Sequence, residues 1–152
     1  MNKDFLIGIL GFSLIVVVSA VLIIAIFFIA PATSDTFKTM DFDGITVGVP
    51  DNSNFQADTN WHNDYINGIF IITHNDSDKK FINHAIESHI TDNNLTEMHV
   101  ENISSNIRTF IRESPTDTTF VAIVVNDNKD KAIIIETVDP GLALKIAKTV
   151  KF

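Results

Sequence analysis

The 152-residue chain carries 19 acidic side chains against 11 basic ones, a formal charge of −8, and no cysteine. Such a charge disfavours nucleic acid and anionic lipid surfaces as partners. The missing thiol excludes disulfides, thiol catalysis, zinc–thiolate centres and a lipid-modified cysteine anchor.

Residues 5–30, opening on Phe5 and closing on Ala30, are 26 positions without one charge. As a helix they would span roughly 39 Å, more than the ~30 Å of a bilayer core. A helix satisfies its own backbone there, and this one has no polar face to turn toward water. The expectation is one transmembrane helix in contact with membrane lipid. The alternative is an export signal cut after Ala32, because Ala30-Pro31-Ala32 has small residues at the spacing a signal peptidase reads. A signal's apolar core is typically only about 7–15 residues. Lys3 and the α-amino group precede the span, which favours residues 1–4 in the cytoplasm and the rest of the chain outside. Gly8 and Gly11 are three apart, so no GxxxG dimer motif is present.

Residues 31–38 read as a short polar linker, reaching at most about 28 Å. That would hold the folded part, residues 39–152, close to the membrane. Lys3 and Asp4 cancel, so the whole charge of −8 lies beyond the apolar stretch.

Asp43-Gly44 is a turn signal, and Ile45, Val47 and Val49 then alternate as in a half-buried strand that stops at Pro50. Residues 51–63, rich in Asn and Asp, are expected as a loop carrying Phe55 and Trp61. Residues 65–73 read as a second strand, with Gly68 as a bulge or close-approach point. Asp76 or Ser77 caps a helix over residues 78–91, whose apolar stripe is Phe81, Ile82, Ala85, Ile86, His89 and Ile90. Residues 95–114 suit two short strands. Residues 120–125 and 132–137 are β-branched runs joined by a hairpin loop. Asp139-Pro140 starts a last helix with Leu142, Ile146 and Val150 inward, and with Lys145, Lys148 and Lys151 set against its C-terminal dipole. The sum is an α+β domain, an antiparallel sheet with two packed helices.

That element order, with the ending Leu142-Ala143-Leu144-Lys145-Ile146-Ala147-Lys148-Thr149-Val150-Lys151-Phe152, resembles small exported domains of the PsbP/Mog1 kind over residues 42–152. The resemblance implies an accessory or binding role and carries no catalytic residue across. The chain departs from those domains in lacking a lipid-anchoring cysteine.

Candidate sites are few. His84 and His89 are five apart, about 140° around a helix, so they do not share a metal ion easily. His84 and Glu87 at i and i+3 are the remaining metal geometry. Asn126 to Asp130 starts like a calcium loop, but Lys131 and Thr137 stand where glycine and glutamate are needed. Ser104-Ser105 and His99 are near only in sequence. Neither a cofactor motif nor a catalytic motif is present, so the expectation is no metal, no cofactor and no enzyme. Asn75, Asn94 and Asn102 stand in glycosylation sequons, usable if the domain is exported. The function expected is that of a single-pass membrane protein with an acidic extracytoplasmic accessory or binding domain and an unnamed protein partner. Two alternatives stand beside it: a pilin-like filament subunit, and an enzyme with its polar site around Trp61, His62 and Asp64.

Overall fold

A two-residue Asp-Gly loop between alternating apolar runs selects a hairpin turn with both residues at positive φ. The computed structural model, which describes residues Thr36–Phe152, has that hairpin. Strand β1 (Phe37–Phe42) pairs antiparallel with β2 (Ile45–Pro50), Phe42 facing Ile45. Asp43 takes φ 53° and Gly44 φ 80°. Phe37 and Lys38, expected in the linker, already belong to β1. Phe37 and Met40 pack on the core and Lys38 donates to the Ser53 carbonyl, tertiary partners that local polarity conceals.

The remaining strands form a seven-stranded antiparallel sheet, so there are two sheets where one was expected. In chain order they are β3 (Gln56–Asp58), β4 (Trp61–Asp64), β5 (Ile69–Asn75), β6 (Thr96–Met98), β7 (Ile107–Glu113), β8 (Thr118–Val125) and β9 (Lys131–Thr137). In space the order is β3-β4-β5-β9-β8-β7-β6. Helix α1 (Lys79–Asp92) carries the chain from β5 to β6 at the far edge, and a meander returns it to β9 beside β5. Strands β3 and β4 fall inside the predicted loop. They are three and four residues long, and the polar residues that suggested a loop mark their turn, with Thr59 at φ 55°. The strand expected over 65–73 begins only at Ile69, because residues 65–68 form a turn with Gly68 at φ 60°. Residues 95–114 do hold two short strands, β6 and β7.

Asp78, one residue beyond the two expected caps, closes the N-terminus of α1 by accepting the Lys80 amide at 2.9 Å. Asp76 instead accepts the Asp78 amide at 2.8 Å. Asp139 caps α2 (Pro140–Ala147) as expected, accepting the amides of Gly141 and Leu142. This helix stops at Ala147, so Val150, expected in its inner stripe, and Lys151, expected against its C-terminal dipole, lie beyond it, Val150 still packing on the core. Lys151 exchanges two backbone hydrogen bonds of 2.9 Å with Thr46.

Both faces of the large sheet are covered, which explains why Ile133, Ile134 and Ile135 are all fully buried in succession. Ile69, Ile71, Ile133 and Ile135 face the β1–β2 hairpin and α2, through Val47, Val49, Leu142 and Ile146. Ile72, Phe110, Ile123 and Ile134 face α1, through Ile82 and Ile86. Each such side chain contributes about 1.5–3 kcal/mol by leaving water. Phe81, expected in the inner stripe of α1, is 53% exposed. Among the described residues no helix is long and apolar enough to cross a membrane. The predicted span 5–30, the predicted cytoplasmic residues 1–4 and the cleavage point after Ala32 lie outside the described residues.

Candidate binding cleft

Side chains alternate along a strand, so β4 divides the predicted Trp61, His62 and Asp64 group. His62 and Asp64 point to the face of the hairpin, and Trp61 and Asn63 to the face of α1. His62 is buried, stacks edge-on to Phe42 with ring centres 4.9 Å apart, and donates from Nε2 to Asp43 Oδ2 at 3.1 Å. The Thr73 hydroxyl donates to the same carboxylate oxygen. That bond, with lesser help from His62, holds Asp43 below the usual carboxylate range despite some desolvation. For nucleophilic attack the hydroxyl would give its proton to the imidazole. Here both groups aim at Asp43, and the cluster pins the β1–β2 turn to β4 and β5.

Asp64 is fully buried. Burial pushes its pKa up, but hydrogen bonds from Asn67, Ser53 and the backbone of Ile66 and Asn67 outweigh it and leave the carboxylate low. Oδ1 accepts the Ile66 and Asn67 amides at 3.1 and 3.4 Å, and Oδ2 the Asn67 side-chain amide at 2.6 Å. Asp64 therefore shapes the turn that carries Tyr65 outward.

On the other face, α1 ends before it has covered the sheet. Past its C-terminus opens a cleft of about 390 Å³, within the usual range of small-molecule sites. Asn63, Phe70 and Glu136 lie side by side on adjacent strands as its floor. Glu136 is held between the His89 Nε2, 2.8 Å away, and the Arg112 guanidinium at 3.8 Å. Arg112 also donates to Asn93 Oδ1 at 3.0 Å and Thr119 Oγ1 at 3.2 Å. Trp61, Tyr65 and Val138 form the rim and are 49%, 74% and 58% exposed. Trp61 meets Phe70 edge to face, ring centres 6.4 Å apart.

Of the residues singled out from sequence, only Trp61 belongs to both the predicted site and this cleft. His89 enters it from the stripe assigned to the core. Asn63, Phe70, Arg112 and Glu136 were not singled out. The local signal was a charged residue inside each of two β-branched runs, which neither core nor hairpin turn requires. Glu87, the proposed metal partner of His84, is instead bonded to Arg108 at 3.0 Å. No group of three or more metal-ligating side chains converges among the described residues. His99, Ser104 and Ser105 share a hollow at the β6–β7 loop, without a hydrogen bond between them among the described residues. Asn75, Asn94 and Asn102 are all exposed, the last two at φ 50° and 59°. Neither a known protein family nor a curated protein matches the chain.

Proposed function

We propose that this chain is a single-pass membrane protein whose acidic extracytoplasmic domain is an accessory domain that binds a ligand in the Trp61 cleft. The observation that carries the binding role is a polar, ion-paired floor under a rim of exposed Trp61, Tyr65 and Val138. Water penalises exposed apolar area, and contiguous exposed apolar side chains around a concavity mark binding surfaces. The uncharged residues 5–30 support the anchor, and the likeness to PsbP/Mog1 domains supports an accessory role.

A bound ligand stabilises the folded state by mass action, about 2.7 kcal/mol when present at 100 times its Kd. The full chain heated in its native cells should therefore unfold at a higher temperature than the full chain purified into phospholipid nanodiscs. Tyr65→Ala and Arg112→Lys should each shrink that gap. Equal gaps in the native chain and both variants would contradict a ligand in this cleft.

A further inference from the structure

Asn63 is 8% exposed and lies on the cleft floor, yet its side chain makes no hydrogen bond with another described residue. No buried side-chain polar atom among the described residues lacks a partner, so the unpaired atoms of the Asn63 amide are ones the cleft leaves accessible. Its donor and acceptor are satisfied when water or a ligand fills the cleft. An amide offers one carbonyl acceptor and two N–H donors in one plane. Its complement is a group that both accepts and donates, such as a hydroxyl.

Charge narrows the class further. Glu136 is flanked by His89 at 2.8 Å and Arg112 at 3.8 Å, and the Arg112 guanidinium is also bonded to Asn93 and Thr119. An anionic ligand would compete with Glu136 for Arg112 and would approach a chain of net charge −8. A cationic ligand would meet the Arg112 guanidinium, although Asp117 adds a second carboxylate to the lining. Glu136 and Arg112 are already paired with each other, so the floor's spare capacity lies in hydrogen-bonding groups. The rim adds the flat faces of Trp61 and Tyr65, whose negative π-surface attracts the positively polarised C–H edge of a saturated ring.

The geometry points to a neutral saccharide as the ligand, one ring resting against Trp61 or Tyr65 with its hydroxyls paired to the Asn63 amide and the free N–H groups of Arg112. This assignment rests on the binding role proposed above and adds the ligand's chemical class.

Trp61 is the chain's only tryptophan, so its emission reports on the rim alone. The full chain in phosphatidylcholine nanodiscs, free of sugar-based detergent, is titrated with three sets of probes. These are neutral oligomers of glucose and of N-acetylglucosamine, a uronic-acid oligomer with a glucosamine oligomer as charged counterparts, and short neutral peptides. The expected result is a saturable change in Trp61 emission with at least one neutral oligosaccharide. Its affinity should fall at least tenfold in both Asn63→Ala and Tyr65→Ala, and stay unchanged in Phe81→Ala, which alters an exposed ring on α1. Asn63→Ser, which keeps a donor and an acceptor, should recover part of the loss. Tighter binding of a charged oligomer, or a response to peptides alone, overturns the saccharide assignment and leaves a ligand-binding cleft standing. No response to any probe also overturns it. In that case the in-cell stability gap decides whether the binding role falls as well.

Discussion

The buried carboxylate of Asp64 shows how one residue shapes the cleft without lining it. It collects the amides of a four-residue turn, and Tyr65 is exposed because that turn is held open. Asp64→Ala removes the acceptor and leaves those amides unpaired, a loss of about 1–3 kcal/mol. Thermal unfolding of the full chain in nanodiscs should register it, and emission from Trp61 next to the turn should change as well. His74 sets the acid limb of stability. Burial, with the positive charge of His89 adding to it, lowers its pKa from the ordinary 6.5. The unfolded chain then binds a proton that the folded chain resists, so stability is full above about pH 6.5 and declines as the pH falls through and below it. His74→Gln should flatten the stability profile on the acid side of that value. Asp43, held low mainly by Thr73, acts in a more acidic window: its stabilisation is present above about 3.8 and is lost as the pH falls through its lower folded value. Thr73→Val should move that loss toward higher pH, as read from the acid unfolding midpoint.

Among the elements, the C-terminal tail is stitched to β2 by two residues. Thr149 Oγ1 accepts the Gly48 amide at 2.7 Å and donates to the Ile146 carbonyl at 2.6 Å. A methyl group added at Gly48 would stand 3.0 Å from three atoms of the Thr149 side chain, too close for carbon contacts. Gly48→Ala should cost about 1–3 kcal/mol by overpacking and loosen the Thr46–Lys151 bridge, seen as faster amide exchange at those two positions. Asp139→Ala should cost about 1 kcal/mol by uncapping α2, measured in the same unfolding experiment. The two helices, β2 and the β8–β9 hairpin could be read from the chain because each has a local cause: a cap, an alternation, or a turn between β-branched runs. Strands β1, β3 and β4 could not. They are short or polar, and they exist because neighbouring strands complete their hydrogen bonds. The cleft was hidden for the same reason. Asn63, Phe70 and Glu136 are adjacent only across three strands, of which β9 lies far along the chain from β4 and β5, whereas Trp61, His62 and Asp64 are neighbours in sequence that the pleat sends to opposite faces.

At the scale of the whole chain, the large sheet is covered by the hairpin and α2 on one face and by α1 on the other. The fourteen residues of α1 are too few to roof the whole of its face, and the part left open is the cleft. The central claim is that this cleft is where a membrane-held domain meets its ligand. It is tested most directly by the intact mass of the chain carrying a photo-crosslinking residue at Tyr65, irradiated in native cells and recovered from alkali-washed membranes. The account predicts a mass that includes residues 5–30 plus an adduct, with the adduct lost when Arg112→Lys is added and absent when the crosslinker sits at Phe81. A mass beginning at Thr33, or one retaining residues 5–30 with no adduct specific to Tyr65, would contradict it.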